Sequence, residues 1–322
     1  MHFTRDAIES AQRIVYAAMP PTPQYNWPLL KQALGFDVWV KHENHTPLGA
    51  FKVRGGLTYA EWLRRTQPEV RHLVSATRGN HGQSIGFAAR QHGLSATVVV
   101  PQGNSIEKNA AMRALGVELV EYGEDFQASS EHAARLAERD GLHRVPSYHP
   151  ELVRGVATAY VEFFDALQAA PPDVLYVPIG LGSGITAAAV ARTHCGVQTR
   201  LIGVVSTLAP AYQKSFQSGR AIDAPATTAI ADGMACRSAV PEAVDVIRRE
   251  VDDVIAVSDE EVASAMRLLY TSTHNVAEGA GAAALAAATQ QRDRWIGKRV
   301  GIVLSGGNVD AAVFARVLGN EF

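Results

Sequence analysis

The chain has 322 residues, 47% of them apolar and 19% charged, enough for a large core in one or two domains and too apolar for disorder. Thirty Lys and Arg against 32 Asp and Glu leave a net charge of −2, which argues against a surface built for nucleic acid or an anionic membrane. The two cysteines, Cys195 and Cys236, show neither CxxC nor Cys/His spacing, so no zinc site is expected and a reducing, cytoplasmic setting is. The N-terminus meets charge at Arg5 and Asp6, without the apolar run of a signal peptide. The Ala/Gly-rich stretch 280–288 is too short and too weakly apolar to span a membrane.

In chain order, short β-branched runs predict strands at 38–40, 73–75, 96–100, 117–120, 174–177, 201–205, 254–257 and 300–304. Segments of helical length lie between most of them, among them 83–91 and 107–115. Near-continuous apolar strands alternating with helices predict an α/β fold with doubly wound, open parallel sheets. Eight strands exceed one small sheet, so two sheets are expected.

In such sheets ligands gather where strands end and helices begin. Lys52 follows a turn containing Pro47 and Gly49 and opens a helix; set in Ala50-Phe51-Lys52-Val53, its amine can be desolvated, lowered in pKa and able to form an imine. An ordinary solvated lysine is the alternative. The strand at 73–75 runs into Ala76-Thr77-Arg78-Gly79-Asn80-His81-Gly82-Gln83, which suits an anion at a helix start or merely caps that helix. The strand at 174–177 runs into Gly180-Leu181-Gly182-Ser183-Gly184. Alternate glycines let backbone N–H groups approach a phosphate; a tight turn without a ligand is the alternative. No acidic residue follows the next strand for a dinucleotide's ribose, and neither a Gly-Lys-Ser/Thr P-loop nor a nucleophile elbow is present. The last strand runs into Ser305-Gly306-Gly307-Asn308. Together these supply an amine nucleophile, two anion cradles and a neutral hydroxyl, the set a pyridoxal phosphate site needs.

The order of these segments resembles the fold-type II pyridoxal phosphate enzymes, in particular the serine/threonine dehydratase and serine racemase branch. Gly49-Ala50-Phe51-Lys52-Val53-Arg54-Gly55-Gly56 is similar to that branch's Ser-Phe-Lys-x-Arg-Gly-Ala segment, and Arg78-Gly79-Asn80-His81-Gly82-Gln83 to its Ser-Gly-Asn-His-Gly-Gln loop. Ala231-Asp232-Gly233-Met234, Glu278-Gly279-Ala280-Gly281-Ala282 and Ser305-Gly306-Gly307-Asn308 complete the series, from about residue 20 to the end. The resemblance implies that Lys52 carries pyridoxal 5'-phosphate as an imine, with Phe51 packed near the ring and Asn80 on its phenolic oxygen. Gly180, Leu181, Gly182, Ser183 and Gly184 would hold the phosphate, Ser305 the pyridine nitrogen, and Glu278 would support the site. Thr77, Arg78, Gly79, Asn80 and His81 would surround the substrate. The implied architecture is a large cofactor domain from 1–66 and 150–322 and a small substrate domain from 67–149, paired as a homodimer. The implied reaction is β-elimination of water from a β-hydroxy amino acid, L-threonine or L-serine, giving a 2-oxo acid and ammonia. A dehydratase of another such amino acid, for example 3-hydroxyaspartate, and a racemase are the alternatives. At this length no allosteric C-terminal domain is expected.

Three departures bear on this. Arg78 stands where the racemases resemble one another in a serine acid/base, and a guanidinium is a poor proton shuttle. Pointing inward, Arg78 would pair with a distal carboxylate; pointing outward, it is a solvated surface residue. Val205 and Ala211 occupy the racemase-type cation-ligand positions and offer no ligand. Leu181 and Ser183 interrupt an otherwise all-glycine loop. Tyr148 and His149 are further candidates for contact with the β-substituent, with loop packing as their alternative.

Overall fold

A computed structural model describes all residues, 1–322, in ten strands. These are β1 (Gln24–Asn26), β2 (Asp37–His42), β3 (His72–Ala76), β4 (Ser95–Val100), β5 (Glu118–Glu121), β6 (His143–Arg144), β7 (Val174–Pro178), β8 (Arg200–Ser206), β9 (Asp253–Val257) and β10 (Arg299–Leu304). They form a six-stranded sheet in the order β1-β2-β10-β7-β8-β9 and a four-stranded sheet in the order β5-β4-β3-β6. All pairings are parallel except β1 on β2.

The eight apolar runs all form strands. The two unpredicted ones lack their signal: β1 is a polar edge of three residues and β6 is only two residues long. In the central strands successive side chains enter opposite cores. Val174, Tyr176, Ile202, Val204, Val300 and Ile302 face one core, while Leu175, Val177, Leu201, Val205 and Val303 face the other. Helix Gly279–Gln290 covers the first face, its stretch 279–288 buried throughout, because alanine permits close approach on every side. Helices Pro150–Ala166 and Ser183–Cys195 cover the second. No helix is long and apolar enough to cross a membrane.

This winding places the site. From β7 the chain proceeds outward through β8 and β9, then returns to lay β10 on the other side of β7. Loops leaving β7 and β10 therefore diverge at a topological switch point, where open α/β sheets take ligands. The four-stranded sheet repeats the arrangement between β3 and β6. Helix Ile106–Ala114, which follows β4, joins the sheets by reciprocal capping. Asp310 accepts from Ser105 Oγ and from the backbone N–H of Ile106 (3.2 Å), while Glu107 accepts from the N–H of Ala311 (2.8 Å).

Candidate active site

Lys52 is the first residue of helix Lys52–Thr66, and the base of that helix is held by buried charge. Arg54, fully buried, donates from Nε to Glu43 at 2.7 Å and from Nη1 to Glu162 at 2.6 Å; Lys41 pairs with Glu162 at 2.6 Å. Two cations and two carboxylates cancel, and Thr22 and Thr158 hydroxyls complete the hydrogen bonds. Ahead of Lys52, the Phe51 N–H donates to the Ser305 carbonyl at 3.0 Å, so the lysine is stitched to the end of β10.

Fourteen of the candidate residues line one cavity of about 820 Å³, part of it open to solvent: Phe51, Lys52, Thr77, Arg78, Gly79, Asn80, His81, Gly180, Leu181, Gly182, Ser183, Gly184, Glu278 and Ser305. Lys52 Nζ donates to Ser183 Oγ at 3.1 Å and lies 4.7 Å from the centre of the Phe51 ring. Burial lowers the Lys52 pKa to about 8, against smaller upward pulls from Cys236 and Glu278. At pH 7 about one amine in ten is then neutral, against about one in three thousand for an ordinary lysine.

The 180–184 loop is shaped for an anion. Gly182 has φ +94°, and a Cβ there would meet the Ala243 Cβ at 2.6 Å; a Cβ on Gly180 would meet the Gly233 carbonyl at 2.5 Å. Helix Ser183–Cys195 starts here without a side-chain cap, leaving its first N–H groups for a ligand. Opposite, helix Asn80–Gln91 also begins uncapped, three residues before the expected start. Thr77 Oγ1 accepts from the Gly79 N–H at 2.9 Å, so the hydroxyl shapes its own loop. His81 is buried with Nε2 unpaired, and burial together with the Lys52 charge lowers its pKa to about 3, which keeps the imidazole neutral. Asn80 donates to Glu278 at 2.7 Å and accepts from Asn308 at 2.8 Å. A glycine-lined helix start, a lysine of lowered pKa and an unpaired histidine nitrogen fit a phosphorylated, carbonyl-bearing cofactor.

Several lining residues carried no isolated signal in the sequence. Lys108 pairs with Asp232 at 2.6 Å and Glu278 at 3.2 Å. Burial alone would lower its pKa, and the two carboxylates raise it instead. One lysine cannot neutralise both: burial pushes Glu278 up, Lys108 pulls it down and Asp232 pushes it up again. The rule that ligands gather at strand ends, applied to β4 as to β3, leads to Lys108. Cys236 also lines the cavity, its thiol raised to about 11 by burial.

His149 is not at the cavity. It accepts from the Glu151 N–H at 3.1 Å, capping helix Pro150–Ala166, and packs on Tyr59 and Trp62. Tyr148 lies 3.3 Å from Thr186 Oγ1 and lines only an adjoining cavity.

A family model described as "Pyridoxal-phosphate dependent enzyme" matches residues 15–306. The chain is 32% identical over 318 residues to an L-threonine ammonia-lyase of Thermotoga maritima, covering 98% of this chain and 78% of that protein. It is 33% identical over 316 residues to an L-threo-3-hydroxyaspartate ammonia-lyase of a Pseudomonas species, covering 97% of each. The crystal structure of a T.th. threonine deaminase superposes with a TM-score of 0.85 at 29% identity, covering 96% of this chain and 99% of that one. With the matched region spanning both sheets and every segment of the cavity, the chain belongs to the pyridoxal-phosphate dependent enzymes of fold type II.

Proposed function

We propose that this enzyme is an ammonia-lyase that removes water from a β-hydroxy amino acid, L-threonine or L-serine in the first instance, releasing a 2-oxo acid and ammonia. The observation that carries it is a low-pKa lysine facing an uncapped helix start across a cavity that also holds a strand-end serine. When bound, pyridoxal 5'-phosphate supplies an electron sink for the pair left on Cα after deprotonation. The chain does the rest. N–H groups of 180–184 bind the phosphate, and those of Arg78, Asn80 and His81, with the neutral His81 imidazole, bind the α-carboxylate; the N–H groups of Thr77 and Gly79 are taken by the Val99 carbonyl and Thr77 Oγ1. Lys52 Nζ takes up the Cα proton, oriented by Ser183 Oγ. Ser305 offers a hydroxyl, which holds no proton on a ring nitrogen as a carboxylate would, and this favours elimination over transamination.

Sheet membership supports the division into 1–66 with 150–322 and 67–149. The family resemblance supports a homodimer, and two unpaired cysteines agree with a cytoplasmic setting.

The test is product analysis over a panel of β-hydroxy amino acids, with 2-oxo acid and ammonia formed in equal amounts; no 2-oxo acid from any member overturns the reading. EDTA and magnesium leave the rate unchanged, since buried, apolar Val205 and Ala211 give a cation no oxygen. D-serine does not accumulate from L-serine; its appearance would instead favour the racemase. A further expectation concerns pH. Capture of cofactor by the cofactor-free chain follows the neutral amine, so its rate rises with pH around a midpoint near 8. A midpoint near that of free lysine would show that Lys52 is not desolvated.

A further inference from the structure

We propose that Arg78 binds a second carboxylate on the substrate, so that the preferred substrates are β-hydroxy dicarboxylic amino acids. The proposal deepens the lyase reading and rests on it for the reaction alone. Arg78 occupies the loop at the end of β3, between Thr77 and Gly79, and lines the Lys52 cavity. It also lines a second cavity, of about 1410 Å³ including open space, which shares Ala76, Phe126, Leu181 and Cys236 with the first. Arg78 therefore stands on the wall that the two spaces share. The Cys236 thiol, on the shared wall, feels the charges of both Lys52 and Arg78.

What marks Arg78 is an unmet demand. Its Nε is buried without a hydrogen-bond partner, and no carboxylate of the chain pairs with it. The buried cations Lys41, Arg54 and Lys108 all have such partners. Asp125, the acid of the second cavity, is taken: it pairs with Arg237 at 2.7 Å and caps Ala128 at 2.8 Å. A partly desolvated guanidinium without an anion is costly, and its planar fork matches a carboxylate in two hydrogen bonds. Serine and threonine carry no carboxylate at Cβ to meet it. 3-Hydroxyaspartate does, and the space beyond Arg78 admits 3-hydroxyglutamate, one methylene longer.

The experiment compares kcat/KM for these two dicarboxylates with L-serine and L-threonine in the holoenzyme and in its Arg78→Ala and Arg78→Lys variants. The wild type prefers at least one dicarboxylate. Arg78→Ala lowers the dicarboxylate-to-serine ratio by about 10–100-fold, the worth of a charged hydrogen-bonded contact, chiefly through KM. Arg78→Lys, a point charge without the fork, falls between. Calorimetric binding of L-aspartate, which has no β-hydroxyl to lose, against L-alanine gives a reading independent of turnover. An unchanged ratio in Arg78→Ala, or wild-type binding that does not distinguish aspartate from alanine, overturns the proposal. Loss of aspartate discrimination in Arg78→Ala without turnover of any panel member would support this role and refute the lyase.

Discussion

Lys52→Ala yields a folded protein without the visible absorption of lysine-bound cofactor, and elimination falls by at least about 10²–10⁴-fold, the share a lost general base accounts for alone. The expectation follows from where the amine sits. Its environment is dry enough to bring the pKa to about 8, and its hydrogen-bond partner, Ser183, belongs to the loop proposed to hold the phosphate. Covalent attachment and proton removal are then two uses of one neutral amine. Lys52→Arg does no better, because a guanidinium stays charged and forms no imine. A spectrum and a rate measurement on the purified variants decide it; an alanine variant retaining either signal would remove Lys52 from the centre of the site.

The second large effect lies two residues further along the same helix. Arg54→Ala leaves Glu43 and Glu162 buried with Lys41 as their only cation, one positive charge for two carboxylates. Breaking a buried pair by removing one partner costs about 3–5 kcal/mol, far beyond a surface substitution. Chemical denaturation should therefore show a loss of that size. Arg54→Met, which restores volume without charge, strands the same carboxylates and recovers little. A loss below about 1 kcal/mol would mean that water or protonation rescues the carboxylates, and falsify the account of the network as a closed set of charges.

Much of this was legible in the chain. The eight parallel strands announced themselves because burial on both faces demands unbroken apolar runs, as in 96–100 and 300–304. The cavity walls were legible for a related reason: strand ends that turn into helices through Gly, Ser and Asn are conspicuous beside such runs. Lys108 was not, since a lone lysine on an amphipathic helix looks solvated until Asp232 and Glu278, more than a hundred positions away, are brought to it. His149 followed its alternative, local packing, because the ring that precedes Pro150 caps the helix and lies against Tyr59 and Trp62. The surroundings of Arg78 were not legible either, since the second cavity is lined from stretches as far apart as 76–78, 125–130, 144–148 and 235–241.

The bond from the Phe51 N–H to the Ser305 carbonyl ties the order of assembly to the order of synthesis. The four-stranded sheet is drawn from one continuous stretch and can form while the chain is still emerging. The larger sheet cannot, for its centre is β10, lodged between β2 and β7. At roughly 5–20 residues per second, the lysine segment waits about 13–50 seconds for the strand that completes its pocket. Cofactor capture is thus a late event in the life of each molecule, and a chain stalled before β10 would carry Lys52 without a place to use it.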